Sequence, residues 1–135
     1  MQLVPYLTFN GKCREALTYY AEKLGGTIEA MDSFGSMPAG DNPMQPADAA
    51  HIMHGRVRLG DMLLMASDSF DAKGDYAYTG ISLSMQVDDL ADAKSKFEAL
   101  SKDGMVIMPF EATFWAKGFG VLKDKFGISW MINCE

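Results

Sequence analysis

The chain has 135 residues, a formal net charge of −6, and 48% hydrophobic against 22% charged residues. Those totals fit one compact, soluble domain spanning 1–135. An acidic chain does not suit tracking along a phosphate backbone, and no apolar run is long enough to cross a bilayer, so neither nucleic acid nor membrane is an expected partner.

The first residues, "MQLVPYLTF", lack a basic segment followed by a long apolar core, which predicts no secretory signal and a cytoplasmic location. Cys13 and Cys134 are then expected as reduced thiols. "LVPYLTFN" alternates and predicts a strand. "GKCREALTYYAEKLGG" has Cys13, Ala16, Leu17, Tyr20 and Leu24 at helical spacing. Asn10 or Gly11 can open that helix and Gly25–Gly26 stop it. "TIEAMDSF" reads as a strand. "GSMPAGDNPMQPADAA" is a long loop rich in Gly, Pro and Asp, and the segment 33–50 is a candidate lid. "HIMHGRVRL" and "MLLMASD" predict two strands joined by a turn at Gly60–Asp61.

A polar linker follows over 69–79, and then the order starts again. "ISLSMQV" is a strand. "DDLADAKSKFEALSKDG" is a helix capped by Asp88 or Asp89, with Leu90, Ala93, Phe97 and Leu100 as its buried stripe. "MVIMPF", the end of "FWAKGFGVLKD", and "GISWMINC" complete three more strands. The fold class is α+β: two βαβββ modules, about 1–68 and about 80–135. Each alone would bury too little apolar surface. Both together are expected to form one curved mixed sheet, with helices on its convex side and a groove on the other.

On the stretches "VPYLTFNGKCREALTYY", "HIMHGRVRLGDMLLMASD", "SMQVDDLADA" and "FWAKGFGVLKDKFGISWMIN", the chain resembles the PhnB-like family of the vicinal oxygen chelate superfamily. That superfamily comprises glyoxalase I, the bleomycin and fosfomycin resistance proteins and the extradiol dioxygenases. The resemblance covers nearly the whole chain. It implies the paired-module fold and a homodimer, with two grooves lined by both modules and completion by the partner chain left open. Family members also carry a demethylubiquinone methyltransferase label. A nucleotide-type site of that kind wants a glycine-rich strand-to-helix turn. Gly25–Gly26 follow a helix and "KGFG" precedes a strand, so methyl transfer is the less favoured reading.

In metal-using relatives, His, Glu or Gln ligands project into the groove. The resemblance places those positions near Val4 to Tyr6, Met65, Ser82 and Met131. Thioethers and hydroxyls do not make a site for zinc, nickel, magnesium or iron(II), so no metal and no cofactor are expected. His51 and His54 are three apart in a strand and point to opposite faces, so they are not expected to share an ion. His54 is expected on one face with Arg56 and Arg58, opposite Met53, Val57 and Leu59.

Alternation sorts the remaining faces. Leu3, Pro5, Leu7 and Phe9, then Ile81, Leu83, Met85 and Val87, should face helices. The inward set is Tyr6, Thr8, His54, Arg56, Met65, Ser67, Ser82, Ser84, Met131 and Asn133, with Trp115 at the mouth. Hydroxyls and an amide on a partly apolar wall suit a small organic ligand. His54 with Arg56 would suit an anionic group, or else form an ordinary exposed polar strand. No nucleophile–base pair is evident, and nothing places Asp68 or Glu135 beside a substrate. Two readings stay open. One is a metal-independent binding protein. The other is a lyase, isomerase or dioxygenase with metal ligands elsewhere.

Overall fold

The computed structural model describes residues 1–36, 48–71 and 76–135. Most of the candidate lid and part of the linker lie outside them. The chain divides into two compact units, Met1–Tyr76 and Ala77–Glu135. Unit one runs β1 (Tyr6–Phe9), α1 (Cys13–Leu24), β2 (Thr27–Ser33), a short 3₁₀ turn (Phe34–Ser36), β3 (Ile52–Leu59) and β4 (Met62–Asp68). Unit two runs β5 (Leu83–Gln86), α2 (Leu90–Ser101), β6 (Met105–Glu111), β7 (Gly118–Lys123) and β8 (Ser129–Cys134). The strand orders are β1-β4-β3-β2 and β5-β8-β7-β6, so the two modules repeat one topology. In each sheet the first strand pairs in parallel with the last and the other pairs are antiparallel. No helix among the described residues is long and apolar enough to cross a membrane.

Helix α1 follows its sequence stripe. Cys13, Ala16, Leu17, Tyr20 and Leu24 are all buried. Fully burying a side chain such as Leu17 contributes about 2 kcal/mol. Gly25 ends the helix at φ 70°, a left-handed conformation that costs glycine little. The start is not capped by Asn10 or Gly11. Lys12 holds the cap position and its side chain makes no cap hydrogen bond. Asp68, at the end of β4, supplies the acceptor instead. Its Oδ1 accepts the Gly11 and Cys13 N–H groups at 2.7 and 3.0 Å, and its Oδ2 accepts the Ile52 N–H at 2.8 Å. One buried carboxylate therefore ties α1 and β3 to β4. In α2 the expected cap is present: Asp89 accepts the Asp92 N–H at 2.8 Å.

Three apolar residues, two placed by strand alternation and one by a helical stripe, do not lie where the sequence pattern put them. Leu3 is 98% exposed, because pairing in β1 starts only at Tyr6 and Pro5 has no N–H to contribute. Ile81 is 74% exposed, ahead of the first paired residue of β5. Leu90 is 43% exposed, because it occupies the first turn of α2 and reaches the sheet only at Gly118.

The repeat is also written in packing. A Cβ on Gly55 of β3 would collide with Leu17 of α1. A Cβ on Gly120 of β7 would lie 2.6 Å from the Phe97 ring of α2. Gly55 pairs with Ala66 of β4, and Gly120 with Ile132 of β8. Each module thus brings its helix onto the same glycine of its third strand. The glycines of "KGFG" are explained by this close approach, not by a phosphate.

Cys13 is fully buried, which pushes its thiol up to about 12, with the Asp68 charge adding to the effect. Its unfolded value is 9.0, so the folded state binds the proton more tightly. That stabilisation is complete below pH 9 and is lost as pH rises toward 12. In the folded protein at pH 8, Cys13 should resist iodoacetamide, and denaturant should release it. Prompt alkylation without denaturant, mapped to Cys13, would contradict the packing.

Candidate functional site

Each sheet has one face covered by its helix and one face opposite it. In unit one the opposite face is set by register. Tyr6 pairs with Met65, Thr8 with Ser67, and Arg56 with Met65 from the other side. The strands therefore bring Tyr6, Thr8, Met65, Ser67 and Arg56 together as alternation predicted. His54 joins them: its ring lies 6.1 Å from that of Tyr6, at an interplanar angle of 30°.

Arg56 is not free to grip an anion. Its Nε donates to Glu29 Oε1 at 3.0 Å, and Arg58 Nε donates to Glu29 Oε2 at 3.1 Å. Glu29 reaches them because β2 slips register between Ile28 and Ala30. The Arg58 hydrogen bond leads in holding the Glu29 carboxyl below its usual range, with both guanidinium charges adding to it. The cluster is surface-exposed, and its contribution to stability is correspondingly slight.

Beside this face lies a cavity of about 510 Å³. Thr8, Ser67, Ser69, Asp68 and Asp71 supply its polar wall, and Phe34, Phe70, Tyr76 and Met53 its apolar one. Phe34 and Phe70 meet edge to face with centroids 5.3 Å apart. Met53 was expected opposite His54, on the face of Val57. A register shift between Asp32 and Ser33 puts an extra residue into β3 there, and Met53 lines the cavity with Thr8 and Ser67. Thr8 and Ser67 were legible as inward residues. Phe34 and Phe70 were not, since they lie outside the strands whose alternation carried the prediction.

The two histidines go separate ways. His51 lies over Gly11 and near Asp48, at 3.5 Å, whereas His54 lies against Tyr6. Among the described residues, no three His, Cys, Asp or Glu side chains gather where they could hold one metal ion.

Unit two presents a matching face opposite α2. Ser84 pairs with Met131, and Gln86 with Asn133. Met131 therefore occupies the place that Met65 holds in unit one. Ser82 lies ahead of β5, so Ser84 and not Ser82 is the cross-strand neighbour of Met131. Asn133 is buried, and its Nδ2 donates to Gln86 Oε1 at 2.7 Å; Gln86 Nε2 donates to Ser84 Oγ at 3.2 Å. Phe119 of β7 stands on the other side of Asn133. Trp115, 48% exposed, packs edge to face on Phe119 at 5.4 Å, and Phe114 on Trp115 at 4.8 Å.

Among the described residues, neither cysteine is an activated nucleophile. Cys13 is buried with its thiol held neutral, and Cys134 is buried with its Sγ 3.5 Å from the Asp88 carbonyl. Asp68 is occupied by three backbone N–H groups. Asp124, also buried, accepts the Phe126 and Ile128 N–H groups at 2.8 and 3.0 Å and the Trp130 indole N–H at 2.8 Å. Both carboxylates hold the fold.

Two βαβββ modules of this topology, each with a helix on one face and a mixed polar and apolar opposite face, make the fold of the glyoxalase/bleomycin resistance/dioxygenase proteins. More distant solved structures bearing that description share the fold at 17% identity, with TM-scores of 0.65 and 0.56. The chain belongs to the PhnB-like family whose model is described as 3-demethylubiquinone-9 3-methyltransferase and matches residues 1–133. The chain is 46% identical to protein PA1353 from Pseudomonas aeruginosa, whose crystal structure superposes with a TM-score of 0.87 and covers 100% of this chain and 98% of that one. It is 39% identical to protein YjdN of Escherichia coli strain K12, over 98% of this chain and 95% of the relative. A PhnB protein from Bacillus cereus, at 23% identity, shares the fold with a TM-score of 0.81 over 100% of both chains.

Proposed function

We propose that this chain binds a small organic molecule without a metal ion, using the faces opposite its two helices, and that it works as a homodimer in the cytoplasm. The observation that carries the reading is the cavity of about 510 Å³ in unit one, with hydroxyls on one wall and aromatic rings on the other. That size and mixture suit a drug-sized organic ligand. The proposed binding residues are Tyr6, Thr8, His54, Arg56, Met65 and Ser67 in unit one and Ser82, Ser84, Trp115, Met131 and Asn133 in unit two; of these, Thr8 and Ser67 wall the cavity itself. Met65 and Met131 stand at equivalent positions, each beside one hydroxyl-bearing neighbour, Tyr6 and Ser84 respectively. Thioether and hydroxyl donors fit a hard or borderline divalent cation poorly, which favours binding over metal-assisted lyase, isomerase or dioxygenase chemistry. Methyl transfer, suggested by the family's description, lacks support in the glycines: Gly25 ends a helix, and Gly118 and Gly120 lie inside a strand.

A thermal-shift screen of neutral organic compounds tests the reading. Stabilising compounds should be found, and Ser67→Trp, which fills the cavity, should abolish their effect while leaving the protein folded. Compounds that stabilise the variant as well as the wild type would overturn the cavity as the site. S-adenosylmethionine should give no binding heat at millimolar concentration; saturable heat would bring methyl transfer forward. Light scattering should give twice the chain mass, and a monomer mass across a wide concentration range would remove the dimer.

A further inference from the structure

Asn133 is only 7% exposed, and its side-chain Oδ1 accepts no hydrogen bond among the described residues. A buried acceptor left unmade is costly, because it has lost water and gained nothing. Its surroundings are ordered on one side and aromatic on the other. The Ser84–Gln86–Asn133 chain of hydrogen bonds fixes the carboxamide and spends its N–H on Gln86. Across the same sheet row, Asn133 faces Phe119, and Phe119 faces Glu111 of β6. Acceptors therefore stand on both flanks of one exposed aromatic cluster, Phe119 with Trp115 and Phe114.

We infer that the face of β5, β8 and β7 opposite α2 is a subsite for a planar ring carrying an N–H donor, which stacks on Trp115 and Phe119 and donates to Asn133 Oδ1. This rests on the proposed small-molecule function and names the ligand chemistry for unit two. A ring presenting only acceptors would meet Asn133 Oδ1 and the Glu111 carboxylate with no donor to give. Flat rings are favoured because they can meet Trp115 and Phe119 in the offset-stacked or edge-to-face arrangements that aromatic pairs prefer. Gln86 is exposed and on the outer strand, so it can give up its hydrogen bond to Ser84 and shift to admit the ring while still accepting the Asn133 N–H.

The probes are 2-quinolinone, which has a ring N–H, and 1-methyl-2-quinolinone, which has the same ring and none. The readout is the indole and carboxamide N–H region of a ¹H–¹⁵N spectrum of the intact protein. 2-Quinolinone should shift the Trp115 indole and Asn133 carboxamide signals saturably and leave the buried Trp130 indole, held by Asp124, in place. The N-methyl compound should bind about tenfold more weakly, the loss expected for one good hydrogen bond. Asn133→Ala should erase that preference. Trp115→Ala, at an exposed site, should weaken both probes and keep the preference. Equal binding of the two probes to the wild type would overturn donor recognition while leaving small-molecule binding intact. No shift at Trp115 with either probe at millimolar concentration would remove the unit-two subsite, and the cavity of unit one would stand or fall on Ser67→Trp.

Discussion

Asp68→Ala should cost about 3–5 kcal/mol of folding stability, more than any other single carboxylate change on unit one. The reason is the three backbone N–H groups that the carboxylate holds, at Gly11, Cys13 and Ile52. Alanine leaves them without an acceptor in a buried place, and Lys12 at the helix cap has none to offer. The melting temperature should fall by about 10 °C or more. Asp68→Asn should be intermediate, since its amide keeps one acceptor oxygen and turns an NH₂ toward a donor. Asp103→Ala, at an exposed carboxylate beyond α2, is the control and should change little. Urea unfolding of the three variants measures this. A loss under about 1 kcal/mol for Asp68→Ala would show that α1 does not depend on the β4 carboxylate.

Gly55→Val should be nearly as damaging, through overpacking in place of lost hydrogen bonds. The added side chain meets Leu17 where the helix crosses β3 most closely. Such insertions cost about 1–3 kcal/mol, and here more, because Leu17 is itself fully buried and cannot move into solvent. The same clash predicts its own relief. Leu17→Ala alone leaves a cavity and destabilises by about 2–5 kcal/mol. Combined with Gly55→Val, the two changes should cost clearly less than their sum. Strict additivity in a double-mutant cycle would contradict the contact. Gly120→Val against Phe97 should repeat the effect in unit two.

Much of this was legible in the chain. The helix stripes, the Gly25 stop and the doubled βαβββ order follow from apolar spacing and turn residues, because burial of one face enforces a period. The sharing of one sheet face by Tyr6, Thr8, Met65 and Ser67, and of another by Ser84, Met131 and Asn133, follows from alternation inside regular ladders. What alternation could not reveal sits at irregularities. Met53 and Glu29 lie at register slips, which no period records, and those slips bring Met53 to the cavity and Glu29 to the arginines. Phe34 and Phe70 come from outside the strands. The structural role of Asp68 was hidden because its partners are backbone N–H groups far away in sequence, which leave no residue pattern. Lys12 at the cap position was the available hint, since a helix start without a local acceptor must find one elsewhere.

The central claim is that the binding faces work without a metal, and metal content tests it most directly. The purified protein should be incubated with zinc, nickel, iron(II) and magnesium in turn, desalted, and analysed for metal per chain, with the strongest stabilising compound then titrated in the presence of EDTA. Far less than one metal per chain, and ligand stabilisation unchanged by EDTA, is the expected result. One divalent metal per chain that is lost on His54→Ala, or ligand binding abolished by EDTA, would contradict it.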